Sequence, residues 1–348
     1  MNLDGRMRID KSKIKHGIAM LPPEPTIYSN WCDLAEDYGF EMIWIPDSQS
    51  LYRELYVSAA ICSYSTKKIN FGPCVTNPVT RHPAVAASGM STLNELSGGR
   101  AVFGIATGDS ALLNLGLRPS LVEELRNYII SFRELTENGS TVFKGNSSTL
   151  SWNKRKVPVY MAAEGIKTLR LAGEVADGVI IGTGFIPEMV ADSLGWIEEG
   201  ARKSGRKLED LDLWWIVKVN VNEDGKKAKK EIRMALAGSA NHAFRFTKEH
   251  KHIPTEFLNP IKELEKKYLH AEHEMIDKRS NADLVDDLGL REYLLERFAV
   301  AGTPLECQQR LHELEEMGVQ HLRITAHVPD RPLFIKNWSE KVRGIPKK

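Results

Sequence analysis

Eight short runs of consecutive apolar residues alternate along the chain with longer stretches of helical periodicity. A strand with one wet face must alternate apolar and polar side chains, so a run such as Met42–Pro46 (MIWIP) is buried on both faces. Strands of that kind belong to parallel sheets covered by helices. They read as His16–Met20, Met42–Pro46, Ile69–Thr76, Ala101–Ala106, Val157–Ala162, Gly178–Ile181, Leu213–Val221 and His321–Thr325. The intervening patterns predict helices over Ile27–Tyr38 (closed by Gly39), Leu55–Tyr64, His82–Leu96, Leu121–Thr136, Ile166–Val175, Pro187–Ser204 and, last, Pro304–Met317. Eight such units in one domain over residues 1–348 fit an α/β (β/α)8 TIM barrel. A doubly wound pair of halves would need a mid-chain linker, and the sequence has none.

Lys226–Glu296 breaks the rhythm, being polar, His-rich and without a strand pattern. It reads as the seventh helix plus a helical insertion after strand seven. Loops after barrel strands build the active face, so the insertion is a candidate lid or substrate wall. An oligomer contact or a decorative insert is the competing reading.

Composition limits the partners. With 47 basic against 46 acidic residues the formal net charge is +1, which gives no field to attract nucleic acid or an anionic membrane. No apolar run is long enough to span a bilayer, and the N-terminal residues lack the apolar stretch of a secretory signal. Cys32, Cys62, Cys74 and Cys307 form no C-x-x-C, so they read as free thiols of a cytoplasmic protein.

Barrel geometry points to the strand ends for chemistry. Asp47 and Ser48 after strand two can orient a ligand or move a proton, or simply cap a helix. Gly72–Pro78 after strand three holds prolines, a glycine and an asparagine, and predicts a bulge that could back a flat ring, or a proline-stiffened loop. Cys74 within it reads as a small buried hydrophobe.

After strand four, Thr107 offers a donor and Gly108 a close backbone approach. Asp109 there is a proton donor if burial raises its pKa, or else a cap together with Ser110. Ala162-Ala163-Glu164-Gly165 opens a helix with small residues, leaving amides for a phosphate, provided Glu164 points away. Gly182-Thr183-Gly184 adds a second donor-rich turn.

Arg81-His82-Pro83 and the histidines at His242, His250, His252, His270 and His273 are possible acids, bases or anion ligands. His270 and His273 have the spacing of a metal pair but no matching carboxylate motif, so no metal site is expected and a solvated helix face is preferred. G-x-S-x-G, P-loop and G-x-G-x-x-G patterns are missing from the sequence.

The stretch GPCVTNPVTRHPAVAASGMSTLNELSGGRAVFGIATGD (Gly72–Asp109) resembles the core of the bacterial-luciferase-like superfamily, and within it the branch holding methylenetetrahydromethanopterin reductase. Ala35–Asp47, Val157–Gly182 and Phe298–Val319 extend the resemblance, the last matching the family's final helix. It implies a barrel that uses reduced FMN or the deazaflavin coenzyme F420. It also implies a non-prolyl cis peptide at Cys74-Val75, with Thr76 near it, behind the cofactor ring. The cofactor phosphate falls at Ala162–Gly165 and near Gly182-Thr183, while Asp47 and Thr107-Gly108 match ring- or substrate-facing positions.

Two positions depart from the deazaflavin enzymes of the sugar-phosphate type: Ser48 replaces a histidine and Asp109 a glutamate. Ser110–Leu113 and the insertion differ from the reductase. The main expectation is a monooxygenase that oxidises a small organic substrate with oxygen, using reduced FMN supplied by a partner flavin reductase. The insertion would close over the ring to exclude water, with His242, Arg245 and His327 as substrate contacts. The alternatives are an F420-dependent hydride-transfer enzyme, with Lys167 or Arg170 near the acidic tail, and a non-catalytic flavin-binding barrel. The resemblance also implies a homodimer.

Overall fold

In a computed structural model, residues 13–347 are described except 154, 246, 270, 271, 273, 274, 276, 277 and 327. The barrel strands are β1 (Lys15–Ala19), β2 (Met42–Ile45), β3 (Asn70–Pro73), β4 (Phe103–Ile105), β7 (Val159–Ala163), β8 (Gly178–Ile181), β9 (Asp212–Val221) and β11 (His321–Thr325). All pair in parallel in the order β3-β2-β1-β11-β9-β8-β7-β4. Two bridges, Phe71 to Ala101 and Thr76 to Ile105, join the outer strands and close the ring. The eight-stranded barrel expected from the apolar runs is therefore present.

Helices α1 (Pro25–Asp37), α2 (Leu55–Ser65), α3 (Pro83–Leu96), α5 (Val122–Asn138), α6 (Ile166–Val175), α7 (Pro187–Lys203), α13 (Pro304–Glu316) and α14 (Arg331–Asn337) connect or follow the strands. Their apolar faces meet the outward side chains of the strands in one large core, where Phe103 stacks on Phe132 at 3.9 Å between ring centroids. A single-turn α4 (Ser110–Leu113) lies between β4 and α5.

The strand period of two sorts the side chains that point into the barrel. In β9 these are Trp214, Ile216 and Lys218, and in β11 His321, Arg323 and Thr325, each paired across the ladder with the other. Trp44, Tyr160 and Trp214 pack edge to face and fill the lower lumen, where Tyr160 donates to Asp212 at 2.6 Å and His321 pairs with it at 3.0 Å. Side chains shorten toward the C-terminal ends, to Ala162 above Tyr160 and Gly182 above Ile180, and space opens there.

Four features differ from expectation. A hairpin of β5 (Ser140–Phe143) and β6 (Asn146–Thr149) follows α5, turning at Lys144 and Gly145, both with positive φ as a two-residue hairpin turn requires. Polar surface strands of this length carry no apolar run. Among its described residues, the segment read as the seventh barrel helix plus insertion does not supply the helix that precedes β11, a place taken by α13. Instead α8 (Gly225–Glu231) packs against β9 and a following short strand, while α9 (Arg233–Phe244), α10 (Thr255–Lys267), α11 (Ser280–Asp287) and α12 (Arg291–Phe298) form a separate core around Leu236, Phe244, Leu264 and Leu294.

The matching block that begins at Phe298 opens with a short strand, β10 (Ala299–Gly302), which extends β9 in parallel, and not with a helix. Finally, α13 is not the last helix: α14 runs into a π-helical turn that buries Trp338 against His16.

Among the described residues no helix is long and apolar enough to cross a membrane, and no group of three His, Cys, Asp or Glu side chains could hold a metal ion. His270 and His273 lie outside the described residues.

Candidate active site

A cavity of about 420 Å³ occupies the C-terminal mouth of the barrel, with barrel turns on one side and α9 with its following strap on the other. The insertion is thus a wall of this cavity. Of the residues expected here, Asp47, Ser48, Cys74, Val75, Thr107, Gly108, Asp109, Ala162, Ala163, Glu164, Gly165, Gly182, His242 and Arg245 line it. His327 lies outside the described residues. Thr76 and Thr183 do not line the cavity.

The ledge is built by the meeting of β3 and β4. A methyl group on Gly72 would sit 2.0 Å from the Val102 carbonyl oxygen, and one on Gly104 would sit 1.9 Å from that of Pro73. Only glycine lets the two backbones approach so closely. Immediately beyond, Cys74-Val75 is a cis peptide bond, the Cys74 amide donates to the Ile45 carbonyl at 2.7 Å, and the chain rejoins β4 through the Thr76 amide. Thr76 is turned away from the cavity, and its hydroxyl donates to Asp47 at 2.6 Å. It positions Asp47 and does not line the cavity, contrary to its expected place as a cofactor contact.

Asp47 also takes Arg81 at 2.6 Å, and Arg81 in turn reaches Glu54 at 3.0 Å and lies over the Tyr56 ring. With its side chain 6% exposed, Asp47 is fixed in orientation by Arg81 and Thr76. The helix-cap reading fails, since Glu54 caps α2. Ser48 bonds the Ser110 hydroxyl at 3.0 Å and ties the second and fourth strand turns together.

Asp109 makes no cap hydrogen bond to α4. It faces the insertion, 2.9 Å from His242 Nε2 and 2.7 Å from Arg245 Nη2. Desolvation alone would raise its carboxyl, but the His242 hydrogen bond and the His242 and Arg245 charges outweigh it and hold the group well below the ordinary carboxylate range. The expected proton donor is therefore a carboxylate. For His242, desolvation lowers the pKa, but the Asp109 hydrogen bond and the Glu164 and Asp109 charges raise it further, against the opposing Arg245.

The folded state thus favours charged Asp109 and charged His242. The Asp109 contribution is lost as pH falls through its depressed value, and the His242 contribution as pH rises through its elevated one.

At the fifth strand turn, α6 begins after Gly165, whose amide donates to the Thr168 hydroxyl at 3.2 Å; no N-cap side chain takes the helix amides that follow, and Gly165 and Thr168 line the cavity. The Glu164 carboxylate lies against Gly182, where an added methyl would come within 2.3 Å of it. Thr183 is fully buried behind the wall, its hydroxyl on Ser193 at 3.0 Å and its carbonyl on Arg297, which corrects its placement as a cofactor contact. Lys167 is exposed and off the cavity, and Arg170 is spent on Glu199 at 2.6 Å.

The cations come from elsewhere. Lys251, only 5% exposed, donates from Nζ to the Glu164 carbonyl. It is flanked by His250 and His252, both with φ near +50°, a conformation that side-chain-bearing residues rarely adopt and that costs of order 1–3 kcal/mol each. The backbone of Lys251 is held by Arg297, whose guanidinium takes the Lys251 carbonyl at 2.7 Å, the Tyr293 hydroxyl at 2.8 Å and the Thr183 carbonyl at 3.2 Å.

Lys218 and Arg323 rise from inside the barrel, and Arg323 bonds the Thr325 hydroxyl while its Nε is buried without a partner. Lys218, Lys251 and Arg323 were not among the expected site residues. A charged residue at an inward position of an apolar strand is a legible signal for Lys218 and Arg323, whereas Lys251 reaches the cavity only through tertiary folding. Against these cations and Arg245 stand the Asp47, Asp109 and Glu164 carboxylates, of which Asp47 is already balanced by Arg81. The lining therefore favours an anionic ligand with one small-residue, amide-lined end.

Residues 22–321 match the model of a family described as luciferase-like monooxygenase. The 5,10-methylenetetrahydromethanopterin reductase of Methanolobus tindarius is 28% identical over 350 residues, covering 94% of this chain and 99% of its own. The F420-dependent glucose-6-phosphate dehydrogenase of Intrasporangium calvum is 26% identical over 332 residues, covering 88% and 91%. Among solved structures, the coenzyme F420 dependent tetrahydromethanopterin reductase of Methanopyrus kandleri superposes with a TM-score of 0.75 at 27% identity, over 94% of this chain and 98% of that one.

Proposed function

The chain belongs to the luciferase-like monooxygenase family and is a luciferase-like oxidoreductase, and from that premise we propose that it uses coenzyme F420 and transfers a hydride. The observation that carries this reading is the cationic lining of the cavity onto which α6 opens: Lys251 bonds the Glu164 carbonyl beside the turn before α6, and Lys218 and Arg323 line the same cavity, where they would meet an acidic cofactor tail. Similarity to relatives named for F420 weighs the same way. The expectation of reduced FMN and oxygen yields to the alternative on these two counts, and no flavin reductase partner is needed.

Residues of the site fit such a group. The Cys74-Val75 ledge would support its ring, with Ala162 and Ala163 leaving room beside it. The first amides of α6 and Lys251 would take the phosphate. A bound deazaflavin supplies or accepts a hydride, two electrons at a time. Asp47, fixed by Thr76 and Arg81, would orient a donor of the ring or the substrate, and the α9 wall would limit water. Mixing the protein anaerobically with F420 and either methylenetetrahydromethanopterin or glucose 6-phosphate tests the reading. Substrate-dependent change in the deazaflavin absorbance is expected, and substrate-dependent oxygen uptake with reduced FMN instead would sink it.

We also propose that the chain forms a homodimer through α2 and α3. Val57 and Tyr64 on α2 and Val85 on α3 are 59%, 78% and 61% exposed, a share of apolar surface that a lone helix pair does not need. The double variant Val57→Glu/Val85→Glu should run at half the wild-type mass in light scattering. A monomeric wild type would refute the pairing.

A further inference from the structure

Hydride transfer to or from a polar double bond needs a second group that moves a proton near neutral pH. The cavity acids are poorly placed for it. Asp47 is paired with Arg81, and Asp109 is held as an anion by two cationic neighbours. Lys251 commits its ammonium to the Glu164 carbonyl, and Glu164 packs over Gly182. His242 is different. It projects from α9 onto the cavity, 34% of its side chain is exposed, and its Nε2 lies 2.9 Å from the Asp109 carboxylate.

We propose that His242 is the proton-transfer residue of this site and that Asp109 is the positioning anion that fixes its ring. The pair joins the barrel to the insertion, so neither part alone builds the acid. Asp109 holds the ring through Nε2, and the ring as a whole lines the cavity. The role rests on the deazaflavin reading for its hydride.

In the reducing direction the carbon of a C=O or C=N bond gains the hydride from reduced deazaflavin. The π pair moves to the heteroatom, which bonds the His242 proton, and the imidazolium becomes neutral imidazole. In the oxidising direction the neutral ring takes the O–H or N–H proton as the hydride leaves carbon for oxidised deazaflavin. Three charged groups face the ring: Asp109 from the turn after β4, Arg245 from the end of α9, and Glu164 from the turn after β7. The two carboxylates favour the imidazolium, and Arg245 opposes it.

The test uses the full-length protein in two arms. In protein labelled with 15N-histidine, the His242 signal is identified by its loss in His242→Gln. It should stay imidazolium above the ordinary midpoint near 6.5, and Asp109→Asn should bring that midpoint down. In stopped-flow hydride transfer with F420 and methylenetetrahydromethanopterin or glucose 6-phosphate, His242→Gln should bind F420 like wild type yet lose about 100-fold or more in rate. His242→Ala should regain rate with added imidazole, which a merely structural residue would not allow.

A neutral His242 at pH 7 that ignores Asp109→Asn overturns the proposal. So does a His242→Gln variant with the wild-type rate and pH profile. Failure of the wild type to bind F420 or to turn over either substrate overturns the deazaflavin reading itself, a result distinct from normal turnover without His242.

Discussion

Gly104→Ala should cost the barrel about 3–5 kcal/mol, or leave it insoluble. The added methyl would stand 1.9 Å from the Pro73 carbonyl oxygen, and the obstacle is backbone, which no rotamer change can move. Relief requires β3 and β4 to part. That breaks the Thr76 and Ala106 amide bonds that close the ring on the C-terminal side, at 3.0 Å each, and moves the ledge at Cys74 and Val75. Stability and ligand binding should therefore fail together. Gly195→Ala in α7 is the control: nothing lies within 4 Å of the added methyl, so it should be neutral or slightly stabilising. Urea unfolding of the two variants decides the matter, and a wild-type midpoint for Gly104→Ala would refute this account of closure.

Arg297→Met should loosen the insertion and weaken F420 binding by about tenfold or more, equivalent to about 1.4 kcal/mol. Arg297 is fully buried, lies over the rings of Phe244, Tyr293 and Phe298, and donates only to neutral oxygens. Burial pushes its pKa down, only partly offset by Tyr293, but a guanidinium has ample margin and stays charged. Methionine removes that desolvated charge, which is favourable. It also orphans the Lys251 and Thr183 carbonyls and the Tyr293 hydroxyl, at about 1–3 kcal/mol apiece, so the net change is destabilising. The Lys251 strap, bent through two left-handed residues, then loses the bond that holds its backbone to α12. Hydrogen exchange should rise in α9–α12 while the barrel strands stay protected. Uniform exchange with unchanged F420 affinity would show that Arg297 merely fills space.

The barrel was legible because strands such as Met42–Ile45 and Gly178–Ile181 are apolar at every position, and only a doubly covered parallel sheet uses such strands. The ledge was legible for a related reason: Gly72, Pro73 and Gly104 are residues that sheets tolerate only where backbones crowd or bend. Harder to read was Lys226–Glu296, since amphipathic helices state that they bury a face but not which face they find. Its division from the barrel is set by Leu236, Phe244 and Leu294 packing on one another rather than on strands.

The roles within the site were less visible still. Asp109 reads as a proton donor or a cap until His242 and Arg245, more than 130 residues away, are seen beside it. Thr76 and Thr183 carry the right chemistry for a ligand but are turned into the wall, an orientation fixed by Asp47 and Ser193.

The identity of the cofactor is the centre of the account, and anaerobic equilibrium titration of the wild-type protein with F420 and, separately, with FMN measures it directly. F420 should bind more tightly by about tenfold or more, and Lys251→Met should erase most of that advantage while leaving FMN affinity much less changed. Tighter binding of FMN, with F420 unable to displace it, would contradict the account.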